Sequence, residues 1–103
     1  MNLKNTESKE IMPGCHGKMI HGQKITLAFW NIEQGATVPK HHHHHEQMMY
    51  IMDGEFEFTL FGETNLYTAG DIVSIPSDEP HSGKALTPCR LMDVFSPVRE
   101  EYR

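Results

Sequence analysis

Five histidines stand in a row at positions 41–45, within the stretch VPKHHHHHEQMM of residues 38–49. A neutral imidazole is a good ligand for Mn, Fe, Co, Ni, Cu and Zn, and an amide oxygen can complete such a set. Side chains of an extended chain alternate, so His41, His43, His45 and Gln47 share one face, while His42, His44 and Glu46 share the other. Two imidazoles at i and i+2 can therefore meet one ion. The remaining ligand has to come from another part of the chain, and His81, in the loop PSDEPHSG, is the candidate. A purification tag would sit at an end or in a linker, whereas this run passes directly into apolar Met48, Met49, Tyr50 and Ile51. The expectation is one divalent transition metal ion held by two of the imidazoles on the shared face, with the Gln47 amide oxygen and His81 able to complete the set. His16 and His21, in an irregular region, read as surface histidines.

Strands must position these groups, because no segment shows a helical period. Lys24–Ile32, KITLAFWNI, is rich in β-branched and aromatic residues and predicts a strand. Residues 35–40 predict a turn. His41–Met52 predicts one strand or two short ones, ended by the Asp53–Gly54 pair of a tight hairpin. In EFEFTLF, residues 55–61, Phe56, Phe58 and Leu60 alternate with Glu55, Glu57 and Thr59, the pattern of a half-buried strand. Residues 66–68 and 71–75 continue it around Ala69–Gly70, residues 76–80 predict a loop, and CRLMDVF, residues 89–95, predicts the last strand. Met48, Met49 and Met52 read as core filler. Short strands at close spacing, punctuated by glycine and proline, define an all-β sandwich or barrel. Residues 21–103 form one domain; residues 1–20 are an N-terminal segment, partly disordered or adding an edge strand.

A chain of 103 residues with a net charge of -5 has no basic cluster with which to neutralise phosphates, which argues against nucleic acid as a partner. The polar N-terminal stretch has no apolar core of a secretory signal, and no stretch approaches the roughly 20 apolar residues that span a bilayer. Two cysteines, Cys15 and Cys89, do not make a disulfide framework and read as small buried hydrophobes in a reducing compartment. A cytoplasmic protein without a membrane partner is the expectation.

The spacing Gly35, five residues, His41-x-His43, three residues, Gln47, six residues, Gly54 resembles the first cupin motif. Gly70, five residues, Pro76-x-Asp78, two residues, His81 resembles the second. The resemblance implies a double-stranded β-helix, a jelly-roll barrel with the metal in its mouth. Two departures stand out: the family usually has Glu at Gln47, and Gly and Asn at Asp78 and Ala85. With Gln47 in place the ion keeps its full charge, which favours gripping an anionic or hydroxylated substrate over activating oxygen.

The run His41–Gln47 together with Asp93–Arg99, DVFSPVR, is similar to the KdgF-type pectin and alginate degradation proteins, over most of residues 23–103. That family turns 4,5-unsaturated uronates into their linear keto forms. Carried over residue by residue, the resemblance implies His41, His43, Gln47 and His81 as metal ligands, Asp93 and Arg99 as catalytic residues and Phe95 as a substrate-binding residue. Strand parity puts Asp93 and Phe95 on one face, where a carboxylate can shuttle a proton and the Arg99 fork can grip a substrate carboxylate. A small sugar acid is the implied partner, and a homodimer the implied assembly. Two other readings stand beside this one: a metal-dependent cupin dioxygenase and a non-catalytic sugar- or metal-binding module.

Overall fold

A computed structural model describes residues 1–103. Ten strands form two antiparallel sheets: β1 (Lys9–Met12), β2 (Cys15–His21), β3 (Thr26–Ile32), β4 (Thr37–His41), β5 (Glu46–Asp53), β6 (Phe56–Leu60), β7 (Glu63–Tyr67), β8 (Ile72–Ile75), β9 (His81–Ala85) and β10 (Cys89–Ser96). The larger sheet runs β1-β2-β3-β10-β5-β8 and the smaller β4-β9-β6-β7. From β3 onward the chain crosses repeatedly between them, pausing for one hairpin at β6–β7; this is the jelly roll that the cupin resemblance implies.

Alternation decides what goes inside. Ala28, Trp30 and Ile32 of β3, Met49 and Ile51 of β5, and Leu91 and Phe95 of β10 face Phe56 and Phe58 of β6 across the barrel. Both cysteines are buried and free. No helix is long and apolar enough to cross a membrane.

Several expectations change. His16 and His21, expected in an irregular region, lie on β2. The Asp53–Gly54 turn is tight, with Gly54 at φ 92°, but it leads out of the larger sheet into the smaller instead of closing a hairpin. A Cβ on Gly54 would meet the Pro88 carbonyl oxygen at 2.3 Å, so this crossing needs glycine. Residues 37–40, expected in a turn, belong to β4. His81 opens β9 instead of lying in a loop, paired with His41 of β4 and Leu60 of β6. And Met48 is exposed while Met49 is core, as their opposite parity requires.

Residues 9–21 supply β1 and β2, so β1 forms one edge of the larger sheet. Lys18 of β2 donates to the Leu3 carbonyl, tying down the short 3-10 turn at Leu3–Asn5.

Candidate metal centre and its cavity

Between β4 and β5 the chain leaves the ladder for residues 42–45, yet inside–outside alternation persists: His41 and His43 are half-buried, His45 and Gln47 buried, His42, His44 and Glu46 exposed. The β4–β9 pairing sets His41 opposite His81. Ring nitrogens of His41, His43 and His81 lie within 4.8 Å of one another. Three imidazoles thus converge from β4, the 42–45 connection and β9.

Backbone carbonyls orient all three rings. Nδ1 of His41 donates to the Pro39 carbonyl at 2.8 Å, that of His43 to His45 at 3.0 Å, and that of His81 to Glu79 at 2.8 Å. A carbonyl can only accept, so each Nδ1 carries the proton and each Nε2 presents a lone pair, the tautomer that metal-binding histidines adopt. Nε2 of His81 is buried without a hydrogen-bond partner. Nε2 of His43 faces the Gln47 amide oxygen at 3.1 Å. Two acceptors so close are relieved by a shared cation. Burial, followed by the Arg99 charge, lowers the His43 pKa, and burial drives that of His81 down to about 4. His43 and His81 are therefore neutral near pH 7, as ligation requires. These residues fit a divalent transition ion, which His41, His43, His81 and the Gln47 oxygen would hold.

Beside the imidazoles lies a cavity of about 290 Å³, small for a ligand pocket, onto which His41, Gln47, His81, Asp93, Phe95 and Arg99 open. Asp93 faces inward: its register partners are Ala28 of β3 and Met49 of β5, and it is buried. Its Oδ2 accepts from the Trp30 indole N–H at 3.0 Å, while Oδ1 has no partner. Burial lifts the Asp93 pKa to about 6, against the pull of the nearby Gln47 amide, the Trp30 N–H and the Arg99 charge. Arg99, in the segment after β10, is buried with its guanidinium between two rings, 4.6 Å from the centre of Phe95 and 4.4 Å from that of Tyr102. Its Nε is paired with Glu101. Cys15 also lines the cavity, but burial and the Glu10 and Glu33 charges raise its pKa, leaving a protonated thiol.

All seven residues singled out in the sequence therefore meet at one end of the barrel. Trp30 and Tyr102 join them without having been singled out. The alternation Thr26, Ala28, Trp30, Ile32 carries the signal that Trp30 points inward; nothing local signals Tyr102, which reaches the site because the tail folds back. His21, expected at the surface, is half-buried against that tail, while His16 is half-exposed and paired with Glu33 at 2.7 Å. Glu10 completes a second cluster with His16 and Glu33. Its hydrogen bonds are internally satisfied, Glu10 accepting from Gly14 N–H at 2.9 Å.

The chain belongs to the cupin domain family, whose model matches residues 28–95. It is similar to an RmlC-like cupin from Shewanella frigidimarina, with 29% identity and a TM-score of 0.95, covering 100% of this chain and 94% of that one. It is similar also to KdgF from Halomonas sp., with 28% identity and a TM-score of 0.91, covering 97% and 95%. Bacillus subtilis oxalate decarboxylase, at 18% identity and a TM-score of 0.83 over 94% of this chain and 29% of that one, shares the fold. No curated protein sequence matches the chain.

Proposed function

We propose that this cupin is a metal-dependent isomerase that opens and ketonises 4,5-unsaturated uronates released from pectin or alginate. The observation that carries the reading is Asp93: an inward carboxylate with one oxygen unpartnered, in the same cavity as an imidazole triad and a buried arginine. The likeness to KdgF, spread over nearly the whole of both chains, supports it.

Opening such a sugar moves one proton. The anomeric hydroxyl loses it, the ring C–O bond breaks as the aldehyde forms, and the released enol becomes a ketone when the neighbouring carbon takes a proton. No atom is gained or lost. Asp93 suits both halves: as carboxylate it accepts the hydroxyl proton, and as acid it returns one to carbon. A pKa of about 6 keeps both forms accessible, a role worth on the order of 10²–10⁴ in rate. Arg99, held flat between Phe95 and Tyr102, offers its outer N–H groups to the substrate carboxylate. Phe95 also excludes water from the reacting face. A divalent ion on His41, His43, His81 and Gln47 would bind substrate oxygens and stabilise negative charge on them.

The partner assembly in this reading is a second copy, docked on the outer face of the larger sheet. That face is apolar across five strands. One row runs Ile20, Leu27, Val94, Met48 and the next Phe29, Met92, Tyr50, Ile72, each residue directly opposite its neighbour. Met48, Tyr50 and Ile72 remain 51%, 38% and 67% exposed. Free cysteines suit a reducing cytoplasm.

The test is to add protein to the 4,5-unsaturated monouronate and follow the ultraviolet absorbance of its conjugated double bond. Decay well above the spontaneous rate, without oxygen uptake, is expected. Decay at the spontaneous rate removes the reading, and oxygen consumption replaces it with dioxygenase chemistry.

A further inference from the structure

His45 is the histidine of the run that neither points to the triad nor lies in solvent. It is 4% exposed, and its Nε2 donates to the Val98 carbonyl at 3.1 Å, across 53 residues of sequence. Val98 precedes Arg99 in a C-terminal segment, residues 97–103, that is no part of either sheet. Other ties hold this strap as well, among them the Tyr102 ring edge-on to Trp30 at 6.0 Å. The Arg99 N–H donates to Thr26 Oγ1 at 2.9 Å, His21 Nε2 lies 3.4 Å from the Tyr102 carbonyl, and the Arg99, Phe95 and Tyr102 side chains stack. On its other side the His45 carbonyl accepts from Nδ1 of His43 at 3.0 Å, the bond that orients that ring.

One residue is thus bonded through its backbone to an imidazole of the triad and through its side chain to the strap that carries Arg99. The arrangement is maintained at a disadvantage. With Nε2 donating, Nδ1 of His45 holds a lone pair, and it is buried with no partner. Burying an unpaired acceptor is unfavourable, and a leucine here would avoid that penalty.

We infer that His45 is a positioning residue that fixes the Arg99 strap to the metal-binding loop, so that the anion-holding guanidinium and the imidazole triad are set by one connection. The inference rests on the proposed site for its functional meaning, though the tie itself does not depend on the substrate. A displacement of either group on binding is passed to the other through this connection. An anion gripped by Arg99 should tighten metal binding, and the metal should tighten anion binding by the same factor. His45 carries the part of that coupling that direct contact between ion and substrate does not.

Three variants separate this from a merely structural role. In His45→Leu the donor is gone; in His45→Asn it is too short to reach; in His45→Gln an amide N–H stands near the place of Nε2. The first readout is amide hydrogen exchange of residues 98–103. Exchange about five- to tenfold faster is expected in His45→Leu and His45→Asn, the worth of one net hydrogen bond, with recovery in His45→Gln. The second is binding of D-galacturonate, a saturated uronate that does not react, with and without one equivalent of Ni²⁺. It is followed by fluorescence of Trp30, the chain's single tryptophan, 6.0 Å from the Tyr102 ring. Nickel should improve galacturonate affinity in the unmodified protein. That improvement should shrink in His45→Leu and His45→Asn to the part that direct contact between ion and sugar supplies, with nickel stoichiometry still one, and return in full in His45→Gln. Unchanged strap exchange in a folded His45→Leu or His45→Asn overturns the inference, as does a full nickel effect in either. Failure of the unmodified protein to bind galacturonate sinks the uronate reading instead, and the exchange arm still decides on His45.

Discussion

At Asp93 the barrel keeps an ionisable group where an apolar one would pack without penalty, and its energetics can be read apart from its chemistry. Its pKa rises from 3.8 to about 6, with burial the largest cause, a shift equivalent to about 3 kcal/mol. A carboxyl whose pKa is raised holds its proton more tightly folded than unfolded. Stability is then greatest below 3.8, declines as pH rises toward 6 and stays reduced above it. Asparagine has nearly the same shape, can still accept from Trp30 and never ionises. Metal-free Asp93→Asn should therefore melt higher than the metal-free unmodified protein at pH 7.5, by on the order of 10 °C for a domain of this size, with the gap closing toward pH 4. Its turnover of the unsaturated uronate should meanwhile fall by about 10²–10⁴. Melting curves at the two pH values, beside the absorbance assay, check both halves. A variant that is less stable at pH 7.5 would mean the carboxylate is there for packing. Higher stability with undiminished turnover would remove Asp93 from the chemistry.

Among the elements, β9 and β4 matter most, because the triad forms only where they pair. His41 and His81 come from the smaller sheet, whereas Gln47 sits on β5 of the larger, so an ion there ties the two sheets together at the barrel mouth. An ion that binds only the folded chain stabilises it by about 2.7 kcal/mol at a hundred times its dissociation constant, or on the order of 10 °C here. Chelated protein should regain that much melting temperature on adding Ni²⁺ or Zn²⁺, and His81→Ala should not respond; equal responses in the two would place the ion elsewhere. The sequence made β3, β5, β6 and β10 legible because each alternates or is rich in β-formers, and the same parity located Asp93, Phe95 and Gln47. It hid β9. HSGKA has almost no β preference, and Gly83 reads as a loop residue, yet a Cβ there would meet the Phe56 ring at 2.5 Å. Glycine is present because two phenylalanines crowd the strand from inside, a long-range cause that local pattern cannot report. Likewise Pro39 and Gly35 made β4 look like a turn, and the Arg99 segment is bonded to His45 across 53 residues of sequence.

For the molecule as a whole, the two sheets present contrasting exteriors. On the smaller one Glu57, Thr64, Ser82 and Lys84 meet solvent at least in part, as expected of a sheet with one wet face. The larger one shows the two apolar rows. Five strands at about 4.8 Å spacing and the depth of those rows give a patch on the order of 400 Å², against roughly 800 Å² per partner in a standard interface. Asn31, Ser74, Arg90 and Lys18 around it can supply the polar rim. Neither row contains a carboxylate, although the chain carries a net charge of -5, so like-charge repulsion does not act at the centre of the patch. An uncharged face fits another copy of itself better than a charged partner, and two twisted sheets can stack face to face about 10 Å apart. Light scattering during gel filtration should then give twice the 11.8 kDa chain mass. Tyr50→Lys and Ile72→Glu each set a charge in a row facing its own symmetry mate, and both should shift the protein to a monomer while leaving uronate turnover per chain within about twofold. A monomeric unmodified protein at micromolar concentration, or a dimer indifferent to both substitutions, would free this face from the role; loss of turnover on dissociation would instead make the second copy part of the working enzyme, since Val94 and Met92 of the patch alternate with Asp93 and Phe95 of the site along β10.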